Sequence, residues 1–166
     1  MEDEGSSKFV YRVQVDGSER RKVGPDPVIY LISVSPDGQW VVAWISTAGE
    51  ETPNAIVAYP VSGGQPVRIQ PGGTGPAHQG TPVVSWSPDG KFFCVALEAG
   101  TAVIPLRAGL SLPDLPPSGL RSEADLRAIP GARFIRQGDI SLSNSASVYV
   151  FAQTTTHRNL YRVPIQ

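Results

Sequence analysis

The chain alternates short apolar runs with dense turn signals, and the runs repeat. Ile32-Ser33-Val34-Ser35-Pro36-Asp37-Gly38-Gln39-Trp40-Val41-Val42-Ala43-Trp44 returns as Val84-Ser85-Trp86-Ser87-Pro88-Asp89-Gly90-Lys91-Phe92-Phe93-Cys94-Val95-Ala96. Each copy reads as a strand, a Ser-Pro-Asp-Gly turn and a second strand. Pro presets φ at the second turn position, Asp bonds nearby backbone amides, and Gly accepts positive φ. A worn third copy, Ile140-Ser141-Leu142-Ser143-Asn144-Ser145-Ala146-Ser147-Val148-Tyr149-Val150-Phe151, keeps the apolar flanks without the Pro and the Gly. Matching serines fall at 35, 87 and 143.

A second motif recurs in phase with the first. Val10-Tyr11-Arg12-Val13-Gln14-Val15-Asp16-Gly17 resembles Val57-Ala58-Tyr59-Pro60-Val61-Ser62-Gly63, and shorter copies are Val103-Ile104-Pro105-Leu106 and Leu160-Tyr161-Arg162-Val163-Pro164-Ile165. Each predicts a third strand, and the first two run into a hairpin turn. Polar fourth strands follow at Glu19-Arg20-Arg21-Lys22-Val23 and Gln65-Pro66-Val67-Arg68-Ile69, with a weakly marked one at Arg133-Phe134-Ile135.

The second strands set the architecture. Trp40-Val41-Val42-Ala43-Trp44-Ile45 is apolar at both parities, and so is Val148-Tyr149-Val150-Phe151-Ala152. A strand apolar on both faces needs cover on both sides, and packing one four-stranded sheet against the next supplies it. The pattern therefore predicts an all-β chain: a β-propeller-type segment of about three four-stranded antiparallel blades in an incomplete ring. Residues 8–23 form a partial blade, 28–70 a blade, 81–138 a blade carrying a Pro-rich insert at 110–138, and 139–166 a second partial blade. This tally of two strands, two full units and three strands leaves a blade face open at each end. It predicts self-association, or a need for missing propeller blades.

Pro82-Val83-Val84-Ser85-Trp86-Ser87-Pro88-Asp89-Gly90-Lys91, with the strand-Gly-Gly-strand unit at Tyr59-Pro60-Val61-Ser62-Gly63-Gly64, resembles the TolB-like, WD-related bacterial propeller repeat. The resemblance spans nearly the whole chain, and two of its three turns keep the full signature. It implies a fold rather than a function. Such repeats serve as periplasmic scaffolds, as lids on prolyl-oligopeptidase-like enzymes, and as tails of bacterial serine/threonine protein kinases. The ending Arg158-Asn159-Leu160-Tyr161-Arg162-Val163-Pro164-Ile165 is most similar to the kinase-tail or orphan-propeller kind.

The insert breaks the strand rhythm. Leu112-Pro113-Asp114-Leu115-Pro116-Pro117 reads as extended chain. Ser122 then offers an N-cap with an acid three residues on, and Pro130-Gly131 supplies a stop, so one short helix is expected over 122–129. The insert reads either as a docking element on the rim or as a long blade connection.

Composition narrows the function classes. Fourteen basic and 15 acidic side chains give a net charge of −1, which lacks the basic excess that nucleic-acid backbones attract. Arg12, Arg20, Arg21 and Lys22 form the one basic cluster, and on outer strands such charges also discourage edge pairing. Cys94, the single cysteine, lies in an apolar run and reads as a buried filler. The histidines His78 and His157 have no metal-ligand spacing, and no G-x-S-x-G elbow marks a hydrolase. His157-Arg158-Asn159-Leu160 has Asn where a kinase loop needs its Asp base. Asp37 and Asp89 belong to separate turns, and Trp40, Trp44 and Trp86 read as core. The Gly-rich stretch 71–81 lacks the strand-loop-helix setting of a phosphate site and reads as a connecting loop.

No catalytic, metal or cofactor residue is therefore assigned. The acidic start lacks the features of a signal peptide, and no run is long and apolar enough to insert in a membrane. On this reading the chain is cytoplasmic if whole, or periplasmic if it is part of a larger protein that is. The expected function is a non-catalytic protein-interaction or ligand-sensing module within a larger protein. The alternative is an accessory propeller that gates or regulates a kinase or peptidase.

Overall fold

A computed structural model describes residues 7–47, 54–71, 84–138, 140–144 and 147–151. The chain runs β1 (Tyr11–Arg12), β2 (Arg21–Lys22), β3 (Val28–Val34), β4 (Trp40–Ser46), β5 (Asn54–Pro60), β6 (Val67–Pro71), β7 (Val84–Trp86), β8 (Phe92–Leu97) and β9 (Gly100–Pro105). A 3-10 helix (Glu123–Ala128), β10 (Arg133–Ile135), β11 (Ile140–Leu142) and β12 (Tyr149–Phe151) follow. The chain is thus mostly β, with two four-stranded antiparallel sheets ordered β3-β4-β5-β6 and β7-β8-β9-β10 and two-stranded ribbons β1-β2 and β11-β12.

Both full sheets are covered on both faces. Val42, Ile56, Ala58 and Ile69 of the first sheet meet Val84, Phe93, Val95 and Ile104 of the second in one buried cluster. The opposite face of the first sheet buries Ala43, Ile45, Ala55, Val57 and Tyr59 against Val10 and Val23 of the N-terminal segment. The opposite face of the second sheet buries Cys94 and Val103 against Ile140 and Leu142. The order of packing is the order of the chain: ribbon, sheet, sheet, ribbon. Alternation puts successive β4 side chains Val42 and Ala43 into different cores, which is why an uninterrupted apolar run forms this strand.

The tryptophans correct one expectation. Trp40, Trp44 and Trp86 are partly buried and pack against the inter-sheet core rather than being enclosed in it. Trp44 stacks on the exposed Tyr30 of the edge strand, with centroids 5.7 Å apart. Among the described residues the fully buried aromatics are Phe93 and Tyr59. A second correction concerns β12. Val148, Tyr149, Val150 and Phe151 are exposed, so the cover expected on both faces of this strand is not there among the described residues.

The insert settles into the core. Leu112, Leu120, Leu126 and Ile129 all join the inter-sheet cluster, and the Leu120 N–H donates to the Ile69 carbonyl at 2.7 Å. Ile69 lies on β6, the outer edge of the first sheet, so the excursion between β9 and β10 reaches back over its neighbour. The expected helix is present as a six-residue 3-10 segment capped by Ser122, with the Asp125 carboxylate accepting from the Ser122 N–H at 2.9 Å. β10 is the fourth strand expected at 133–135, and it pairs with β9 across the whole insert.

Candidate functional site

The two Ser-Pro-Asp-Gly turns are built alike. Ser35 is buried; its Oγ–H donates to Asp37 Oδ1 at 2.5 Å, and its Oγ accepts from the Trp40 N–H at 2.9 Å. Ser87 does the same with Asp89 at 2.7 Å and the Phe92 N–H at 3.0 Å. Gly38 and Gly90 close the turns at φ 70 and 69, a conformation that side chains with a Cβ rarely adopt. The turns lie side by side, since a Cβ on Gly90 would stand 3.9 Å from Pro36.

The two carboxylates have different second partners. Ser111 of the insert donates to Asp37 Oδ2, and its own carbonyl accepts from the Trp86 indole N–H at 2.7 Å. Lys91 Nζ stands 3.1 Å from Asp89 Oδ2. Some burial opposes ionisation of Asp37, but hydrogen bonds from Ser111, Ser35 and the Gln39 N–H hold its carboxyl below the usual range. Asp89 is held low chiefly by the Ser87 hydroxyl. The hydrogen bonds that lower them also tie each carboxylate into its own turn. The structure brings the turns together but gives each carboxylate its own structural partners.

Cys94 is buried, and burial pushes its thiol up to about 12, in keeping with a filler. Among the described residues no group of three or more His, Cys, Asp and Glu side chains is placed to hold a metal ion. No helix among them is long and apolar enough to cross a membrane. His78, His157, most of the Gly-rich stretch 71–81 and the third-strand copy at 160–165 lie outside the described residues.

The basic cluster lies on the N-terminal ribbon. Arg20 stands 4.3 Å from the Tyr11 ring centroid and Lys22 3.5 Å from that of Phe9. The rings thus engage two of the cations on the exposed side of the ribbon.

A further surface escaped the sequence reading. On β3, the edge strand of the first sheet, Tyr30, Leu31 and Val34 are exposed, Tyr30 at 60% and Leu31 at 57%. β3 lies beside β7, with the Ser33 Oγ–H donating to the Val84 carbonyl at 3.1 Å. The first strands of successive sheets therefore form one wall, and the apolar run Val28-Ile29-Tyr30-Leu31-Ile32 was its signal in the sequence. Compared with family models, curated proteins and solved structures, the chain matches none.

Proposed function

We propose that this chain is a segment of a TolB-like, WD-related β-propeller that works as a non-catalytic interaction or ligand-sensing module. The observation that carries the reading is the packing of four-strand units in chain order, each full sheet burying both faces. Repeated units whose first strands share a wall are what a fan of blades requires. The binding surface is the β3 wall around Tyr30, Leu31 and Val34, which a rigid sheet presents to a protein partner or ligand. The partner is of the kind that meets an apolar, aromatic strand edge. An accessory role beside a kinase or peptidase domain uses the same surface.

Spin labels at the matching turn positions Gln39, Lys91 and Ser147 test the architecture. In a fan of blades, the 39-to-147 distance falls clearly short of the sum of the two shorter spans. Distances that simply add would describe a linear stack and reject the propeller. For the binding role, affinity capture with the chain is compared with a Leu31→Asp variant of unchanged circular dichroism. A partner held by the parent and lost by the variant supports the β3 wall, and equal retention rejects it.

A further inference from the structure

We propose that the outward face of the β1-β2 ribbon docks an extended acidic segment of a protein partner, one whose carboxylates fall at alternate positions. The surface is separate from the β3 wall and does not depend on the propeller reading. Its charge differs from that of the rest of the chain. Residues 8–23 hold Lys8, Arg12, Arg20, Arg21 and Lys22 against two acids, whereas the remaining sequence carries nine basic and thirteen acidic side chains.

The two acids do not neutralise the cations. Asp16 accepts from the Ser18 N–H and hydroxyl, and Glu19 Oε2 accepts from Gln14 Nε2 at 3.1 Å. Among the described residues no carboxylate forms an ion pair with any of the five cations. Strand alternation divides these cations between two faces. Tyr11 pairs with Lys22 and Arg12 with Arg21, and the Val23 N–H donates to the Val10 carbonyl. Val10 and Val23 pack on the first sheet, so Arg12 and Arg21, two residues from them, leave on that side. Phe9, Tyr11, Arg20 and Lys22 leave on the other.

The outward face is a ladder of two ring-cation pairs. Lys22 Nζ stands 3.5 Å from the Phe9 ring centroid and also donates to the Pro25 carbonyl at 3.2 Å. Arg20 stands 4.3 Å from the Tyr11 centroid. Each ring orients a long side chain that would otherwise sample many rotamers, so less freedom is lost when an anion arrives. Both cations remain exposed, and Tyr11 is 44% exposed.

Spacing and ring occupancy identify the partner. Positions 20 and 22 repeat at roughly 7 Å, two residues of extended chain. The side chains of an extended peptide recur on one face at that same interval, so alternate carboxylates meet alternate cations. A single-stranded nucleic acid would use the rings as stacking platforms, but a cation already covers each ring. The same net charge in another arrangement lacks this match.

The test uses the full chain and the fluorescence anisotropy of two labelled peptides at low salt. One carries glutamates at alternate positions, and its isomer has the same composition with the glutamates in one adjacent run. The alternating peptide should bind several-fold more tightly. Arg20→Gln combined with Lys22→Gln should weaken it about tenfold, the size expected when two exposed ion pairs are lost. Arg12→Gln combined with Arg21→Gln removes the same charge from the other face and should weaken it less than about threefold. Circular dichroism of both double variants should match the parent, since all four side chains are exposed. No binding, equal affinity for the isomer, or equal losses from the two double variants overturns the proposal. A single-stranded oligonucleotide of equal charge that binds more tightly than the alternating peptide overturns it too, in favour of a nucleic-acid surface.

Discussion

Tyr59 donates its hydroxyl hydrogen to Asp26 Oδ2 at 2.5 Å, joining the third strand of the first sheet to the segment that leads out of the N-terminal ribbon. The ring is buried, and Gly24 passes so close beneath it that a Cβ there would lie 2.7 Å from the ring. The phenol thus adds a polar tie to the packing of Val10 and Val23 on the sheet. Burial first, and the Asp26 carboxylate second, hold its ionisation above the ordinary tyrosine value of 10.0. Tyr59→Phe should cost about 1–3 kcal/mol in chemical denaturation, as for a hydrogen bond to a charged group. The sign with pH follows from linkage. The folded value is raised, so the contribution is complete below pH 10 and is lost as pH climbs toward the folded value. Tyr59→Phe should flatten that alkaline decline, and an unchanged decline would place its origin elsewhere.

Acid should act on the opposite carboxylates. Asp37 and Asp89 are held below their ordinary value of 3.8 by the turn hydrogen bonds. Their contribution is present above that value and disappears as pH falls through the lower folded values. Asp37→Asn combined with Asp89→Asn should shrink the acid dependence of the denaturation midpoint between about pH 4 and 2. Ser87→Ala, which leaves the part-buried Phe92 N–H without its acceptor, should cost about 1 kcal/mol at neutral pH.

The insert offers a paired comparison. Leu120 is fully buried between the sheets, while Leu110 is 47% exposed at the insert's start. Leu120→Ala should cost about 2–5 kcal/mol, and Leu110→Ala less than about 0.5. Equal losses would mean that the insert does not clasp the sheets. Slow amide exchange at Leu120, whose N–H is held by Ile69, should accompany the larger loss.

Partial burial changes what Trp44 is expected to contribute. A strand enclosed on both sides implies a loss on the order of 3–5 kcal/mol for Trp44→Ala; that figure now belongs to Phe93→Ala, since Phe93 is fully buried. The Trp44 indole nitrogen is buried without a hydrogen-bond partner. Trp44→Phe therefore removes a costly donor while keeping a ring on Tyr30, and should change stability by less than about 1 kcal/mol. Arg21→Ala, on the exposed ribbon, should stay within about 0.5 kcal/mol.

Cys94 predicts a simple kinetic result. With its thiol buried and pushed up to about 12, an aromatic disulfide reagent should label it at the rate of unfolding rather than of collision. Rapid labelling of the native chain at neutral pH would show that the second sheet opens.

What the sequence determined was local or periodic. Ser35-Pro36-Asp37-Gly38 and Ser87-Pro88-Asp89-Gly90 announce their turns because the hydrogen bonds that shape both of them span five residues or fewer; only the Ser111 bond to Asp37 comes from far along the chain. Val41-Val42-Ala43 announces a strand buried on both faces because neighbouring side chains must leave on opposite sides. The Ser122 cap was legible for the same reason. Tertiary structure alone decided which surfaces those elements meet. Nothing near Leu120 in the chain reveals that its N–H reaches Ile69, or that the insert fills a core instead of leaving it. Trp44 carries the residue type of a core position, yet its neighbour β3 is an edge strand, and an edge has no further strand to enclose it. Tyr30 and Leu31 belong to an apolar run indistinguishable by composition from β4, and they are exposed for that same reason. Periodicity specifies the face of a strand, but its place within the sheet is set by partners distant in the chain.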